Sequence, residues 1–429
     1  MDKRAFLKAS GLGVTALGAL SFGQLAVAQN KQSASTAGLS NILGNVQPIS
    51  VDERRERISK AQSIMQKQNI AAIIIEPGAS MDYFAGIQWW RSERLTALII
   101  PREGEIAVIT PFFEEPSVRE TLSVGNDVRV WQEHENPFSL VKNILNDRKI
   151  KHGKIGFEST VRYFVLDGVM KALNNFQHTS AEPVTLACRL IKSAHELRLM
   201  HKANEITLTA YEHVWKQLEK GMEQQHVKGL MSEAQQQLGG AGVWGMALFN
   251  EASAYPHGTR QAQTIKEGSI VLMDCGCNVH GYQSDISRTF VYGEASAKQK
   301  QVWNLVRQGQ QLAFETAQVG TPAGKVDSTV RKMYATQGFG PDYKLPGLSH
   351  RLGHGIGMEG HEKINFVRNE TTPLAKGMCL SNEPGIYLPG EFGVRLEDCL
   401  YMGAEKAHWF TEPPEALDKP VGKLLPLAI

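Results

Sequence analysis

Short apolar runs alternate with amphipathic stretches from Val51 onward. Ile58, Ala61, Ile64 and Met65 fall on one helical face with charges opposite. AAIIIE (71–76) reads as a buried strand, and LTALII (95–100) and EIAVIT (105–110) read as a strand pair across the turn Pro101-Arg102-Glu103-Gly104. VRVWQ (128–132) and KIGFE (154–158) are further strands, with helices expected at 137–147 and 161–173. This alternation predicts an α/β domain over residues 51–187.

After an irregular link near 186–195 the pattern changes. A long amphipathic helix is expected within 188–221, a second near 225–237, and two more at about 298–317 and 324–337. Strands fit 244–249, 269–275 and a pair around 280–292. The last third is rich in Gly and Pro, with short strands near 378–382, 385–388 and 394–402. Strands separated mainly by turns predict an α+β domain over 188–429 built on a strongly curved antiparallel sheet.

Composition adds little to that outline. The chain has 429 residues, 42% hydrophobic and 21% charged, with a net charge of +2. That length suits two full-sized cores, and the absence of a basic stripe argues against nucleic acid as a partner. Residues 1–28 follow a different logic. A basic start at Lys3-Arg4, an apolar run to Leu25 and Ala26-Val27-Ala28 form an export signal with an A-x-A cleavage site. Lys3-Arg4-Ala5-Phe6-Leu7-Lys8 looks like a twin-arginine signal whose first Arg is Lys. The expectation is a periplasmic protein with no stable membrane insertion once the signal is removed. Residues 29–50, rich in Ser, Ala, Gln and Asn, read as a flexible leader. Five cysteines form no disulfide framework, and Cys275 and Cys277 would point away from the strand face carrying Asp274.

The chemistry concentrates in the second half. Asp274 ends the buried strand SIVLMD, and Asp285 follows eleven residues on, after Gly281-Tyr282. A hairpin there would bring two carboxylates face to face, which a divalent cation would relieve. The plain alternative pairs Asp285 with Arg288. HRLGHGIGMEGHE carries His350, His354 and His361, and its glycines oppose a helical His-x-x-x-His site. Glu383 sits in Asn-Glu-Pro-Gly, and Glu397 follows Arg395 in a short apolar strand. Two Asp, two Glu and a His suit a hard or borderline divalent cation, or a pair of them.

The segments DCG…SDISRTF, GHGIG, NEPG and RLED resemble, in order and spacing, the pita-bread metallopeptidases: methionine aminopeptidase, aminopeptidase P and prolidase. TALIIP and EIAVITP resemble the creatinase-type N-terminal domain of the proline-specific branch. The resemblance implies a pita-bread catalytic domain holding two divalent ions on Asp274, Asp285, His354, Glu383 and Glu397. Mn²⁺ is favoured by the carboxylates, with Co²⁺ or Zn²⁺ as alternatives. It implies a shared hydroxide as nucleophile and Glu383 as general base and acid, with His257, His361 and His350 on the substrate side. The substrates would be short Xaa-Pro peptides and the assembly a homodimer. Gly360 departs from the family's usual residue before His361. Trp89, Trp90 and Arg91 are candidates for a pocket wall, Arg91 or Arg94 for meeting a peptide carboxylate, and Arg395 for a substrate contact. Rival reactions on this scaffold are creatine hydrolysis and a metal-dependent sulfonium lyase.

Overall fold

The computed structural model describes residues 34–428, so the expected export signal lies outside the described residues. Ser50 opens the first long element. Its hydroxyl accepts from the Glu53 amide while the Glu53 carboxylate accepts from the Ser50 amide, a reciprocal cap on α1 (Val51–Lys67). Then follow β1 (Ile70–Ile75), α2 (Ala79–Ala85), β2 (Ala97–Pro101), β3 (Ala107–Pro111), α3 (Glu115–Thr121), β4 (Asp127–Trp131), α4 (Phe138–Asp147), β5 (Lys154–Phe157), α5 (Tyr163–Ala172), β6 (Gln177–Ser180) and α6 (Glu182–Arg189). The six strands form one sheet, β4-β3-β2-β1-β5-β6. β1–β2 and β2–β3 are antiparallel and the other three pairings parallel. β1 is buried along its whole length, as an all-apolar central strand should be.

The C-terminal domain begins with α7 (Ala194–Trp215). Ser193 and Glu196 form a second reciprocal cap, which is why this helix starts afresh rather than continuing α6. Next come α8 (Gln224–Gln237), β7 (Ala241–Phe249), β8 (Ser269–Val279), β9 (Tyr282–Gln283), β10 (Ile286–Tyr292), α9 (Ala297–Thr316) and α10 (Ala323–Thr336). The Gly- and Pro-rich third supplies β11 (Gly353–Gly355), β12 (Glu362–Phe366), β13 (Cys379–Asn382), β14 (Gly385–Leu388), β15 (Phe392–Arg395), β16 (Asp398–Met402) and β17 (Ala407–Trp409). Two antiparallel sheets, β10-β8-β7 and β12-β11-β13-β16-β17, meet where Ser287 bridges Glu397. The strand expected over 394–402 is therefore broken at Leu396-Glu397, where the chain leaves its β14 partner and pairs across to β10.

The stretch expected to be a flexible leader is, over 34–50, fastened to the C-terminal domain. Ile42 N–H donates to Leu238 O at 3.0 Å, and Lys202 Nζ donates to Ile42 O at 3.0 Å. His280 holds Val46 O and His195 holds Gln47 O. Leu39, Ile42, Leu43 and Val46 pack on the main core, and Ile49 is buried in it. Polar composition hid these spaced apolar residues, whose burial offsets the entropy of ordering the segment. Among the described residues no helix is long and apolar enough to cross a membrane.

Candidate metal centre and substrate cavity

The register of β8 against β10 pairs Ser287 with Asp274 and Ile286 with Cys275. Asp285 therefore shares a face with Asp274 but lies diagonally from it, not directly opposite as a simple hairpin would have it. Cys275 and Cys277 occupy the other face, fully buried; Cys277 Sγ approaches Thr207 Oγ1 at 3.5 Å on α7. Arg288 pairs with Asp398 at 2.7 Å, both side chains buried, so the plain alternative for Asp285 does not hold.

His354 comes in on β11, which is squeezed between β12 and β13. A Cβ at Gly353 would lie 2.1 Å from Ser381 O, so glycine is what admits the strand there. His354 Nδ1 lies 3.0 Å from Gly355 O; a carbonyl only accepts, so Nδ1 carries the proton and Nε2 keeps its lone pair. Burial lowers this imidazole to about 3, which keeps it neutral. Its Nε2 faces Glu383 Oε1 at 3.4 Å, Asp285 Oδ2 at 3.6 Å and Glu397 Oε1 at 3.8 Å.

Donor atoms of Asp285, His354 and Glu397 lie within 4.8 Å of one another. Glu383 stands beside this set, held by Ser381 Oγ at 3.5 Å. Asp274 is engaged by Arg395, whose Nη2 donates to Oδ2 at 2.6 Å. Burial pushes the carboxyls of Asp285 and Glu397 well above their usual range, with neighbouring carboxylates adding to it. Burial raises Glu383 to about 7, against the opposing pull of Arg395. Three buried carboxylate oxygens, Asp274 Oδ1, Asp285 Oδ1 and Glu397 Oε1, have no hydrogen-bond partner. Buried, unpartnered carboxylate oxygens around an imidazole lone pair are the donor set a divalent cation satisfies.

The remaining sequence candidates scatter. Arg395 was expected at the substrate; it is 3% exposed and spent within the protein. Besides Asp274 it donates to Ser287 Oγ, Pro256 O and the Tyr387 hydroxyl. Ser287 in turn donates to Glu397 Oε2 at 2.8 Å, so Arg395 orients two cluster carboxylates at once. His350 also turns inward: Nδ1–H donates to Arg351 O, and Nε2 accepts from the Tyr387 hydroxyl at 2.7 Å. Tyr387 was not foreseen, because its partners His350 and Arg395 lie on separate segments.

His361 stacks edge-on against His354, ring centroids 4.4 Å apart, and lines a cavity of about 320 Å³ between the domains. Arg351 and Arg91 line the same cavity. Arg91 is tied to Pro77 O and to both oxygens of Thr160. Arg94 instead pairs with Glu93 and Glu133. Arg351 makes no salt bridge among the described residues and donates only Nη1, to Asn365 Oδ1 at 3.1 Å. Trp89 and Trp90 stack at 4.2 Å beside a neighbouring groove that also touches Met358. His257 is exposed and lines a groove with Met246 and Leu248, near enough to His350 and His361 to act on both electrostatically. Gly360 has open space around it.

A mixed-sheet N-terminal domain joined to an antiparallel domain with a buried carboxylate–histidine cluster is the layout of a two-domain metal-dependent enzyme, and its relatives say of which class. The family model for metallopeptidase family M24 matches residues 198–404, and that for the creatinase/prolidase N-terminal domain matches 57–191. The chain belongs to metallopeptidase family M24. It is 31% identical to a putative dipeptidase, YkvY, from Bacillus subtilis, over 84% of this chain and 99% of that one. It is 28% identical to an Xaa-Pro dipeptidase from Pyrococcus horikoshii, over 82% and 95%. The crystal structure of a prolidase from Thermococcus sibiricus superposes with a TM-score of 0.76 at 28% identity, covering 83% of this chain and 96% of that one.

Proposed function

We propose that the chain is a dipeptidase that cleaves the bond before proline in short peptides, with two divalent ions, Mn²⁺ by preference. The observation that carries this reading is the set of unpartnered buried carboxylate oxygens around the His354 lone pair. The names of the Pyrococcus and Thermococcus relatives support proline after the scissile bond. Asp274, Asp285, His354, Glu383 and Glu397 would hold the ions. Bound there, divalent ions supply Lewis acidity, which makes water a usable nucleophile near neutral pH and polarises the scissile carbonyl.

The chain's own groups do the rest. Glu383, beside the cluster, takes the proton of the attacking water and returns it to the leaving imino nitrogen. His361 is kept neutral chiefly by burial and faces the cavity, where its ring N–H serves the carbonyl oxygen. His350 acts one step back, holding the Tyr387 hydroxyl. Arg351, which makes no salt bridge among the described residues, receives the peptide's free carboxylate. The signal over residues 1–28 would place the enzyme in the periplasm.

The test is a substrate screen with metal quantified on the same sample. Xaa-Pro dipeptides, a length series up to a hexapeptide, creatine and sulfonium zwitterions are compared. Two metal equivalents with turnover confined to short Xaa-Pro peptides is the expected result. Turnover of only creatine or a sulfonium compound, or near-normal activity in Glu383→Ala, overturns it.

A further inference from the structure

Among the stretches that wall the interdomain cavity are three distant in sequence: α2, α6 and the turn bearing His361. One guanidinium, on α6, bonds to the other two. Arg189, the last residue of α6, donates Nη1 to Ser80 Oγ on α2 at 2.8 Å. Its Nη2 donates to Glu359 at 2.8 Å and to Glu362. The second Glu362 oxygen accepts from Lys192 Nζ at 2.8 Å, with both side chains almost wholly buried. The same carboxylate accepts from the backbone N–H groups of Met358 and Glu359.

The turn at 358–361 belongs to no helix or strand, so those two amides depend on the Glu362 carboxylate. A carboxylate that receives two side-chain cations and two backbone amides has one low-energy placement. Packing reinforces it: a Cβ at Gly357 would lie 2.7 Å from Glu362 and 2.8 Å from Lys192. Lys192 is itself anchored, its N–H donating to Gly377 O. His361 immediately precedes Glu362 in the chain, and its ring meets His354. No salt bridge or hydrogen bond runs from Arg189, Lys192 or Glu362 to the five candidate ligands.

We infer that Arg189, Lys192 and Glu362 form a positioning clamp: they fasten the link between the domains to the turn that presents His361, and so aim its imidazole into the cavity. The inference rests on the reading of His361 as a substrate-side group. Through Ser80, the N-terminal domain thereby shares in placing a group on the catalytic domain.

Glu362→Gln and Arg189→Lys test it, each in the parent enzyme and in His361→Gln, with kcat and KM for an Xaa-Pro dipeptide, metal content and melting temperature recorded. Lysine keeps the charge of Arg189 but cannot span Ser80, Glu359 and Glu362 together. Each clamp variant should lose about tenfold or more in kcat with full metal content, since small misplacements of an oriented group carry penalties of about that size. In His361→Gln the same substitutions should cost nothing further. Activity within twofold of parent, or an equal loss with and without His361, overturns the clamp and leaves the assignment of His361 standing. A fully active His361→Gln instead removes that assignment, and the clamp with it. Should Glu362→Gln fail to fold, Arg189→Lys decides alone.

Discussion

Arg395→Met separates two roles that the same residue could play. A substrate contact would raise KM and leave the fold untouched. The observed geometry demands otherwise, because Arg395 is the partner of Asp274 at 2.6 Å and is itself buried. Removing one member of a buried pair typically destabilises by about 3–5 kcal/mol, through the charge left behind. The Asp274 side chain retains 17% of its accessibility, so the lower end, about 3 kcal/mol, applies. At about 2.1 cal/mol/K per residue, unfolding this chain has an entropy near 0.9 kcal/mol/K, which makes the shift in melting temperature about 3 °C. The assay is thermal unfolding of parent and variant in EDTA and in Mn²⁺, alongside kcat and KM. The drop should be full in EDTA and smaller in Mn²⁺, since a bound cation supplies part of the lost positive charge. kcat should fall with it, because Asp274 and, through Ser287, Glu397 lose their orientation. An unchanged melting temperature in EDTA together with a rise in KM alone would refute the reasoning and restore the substrate-contact role.

Mn²⁺ affinity should weaken as pH falls below about 7. Burial holds a proton on Glu383 up to about that pH, and Asp285 and Glu397 are displaced in the same direction, so cation and proton compete. His354, lowered to about 3, does not enter that competition. Equal dissociation constants by calorimetry at pH 6 and pH 8 would contradict this. Arg351→Met should raise KM for a free Xaa-Pro dipeptide by about tenfold or more, the size of a lost charge-assisted hydrogen bond, and barely change KM for its C-terminal amide. Equal effects on the two substrates would dismiss the carboxylate role. Deleting residues 1–47 should lower the melting temperature by several degrees, as Leu39, Ile42, Leu43 and Val46 leave the core; an unchanged value would show that the segment contributes no stability.

Much of the site was legible because its signals are local. Each candidate ligand sits in its own short motif, and each motif states its context. SIVLMD is a strand, the glycines around His354 exclude a helix, and Asn-Glu-Pro-Gly makes a turn. The caps at Ser50/Glu53 and Ser193/Glu196, seen only in the structure, are equally local, each made within four residues. The leader was misread for the opposite reason. Its apolar residues are spaced among polar ones, and nothing within residues 29–50 shows that α7 and α8 offer them a surface.

Taken by itself, the sequence determined the two-domain layout, the kinds of donor atom and the family. Those depend on residue type, period and spacing. Only the tertiary structure decided which partners the charged groups take. Asp274 met Arg395 across 121 positions, and Asp398, not Asp285, met Arg288. It also decided that His350 serves Tyr387, that Arg351 makes no salt bridge among the described residues, and that Glu362 binds Arg189 and Lys192. A carboxylate's partner is set by which surfaces pack together, and packing brings together residues whose separation along the chain carries no trace of the contact.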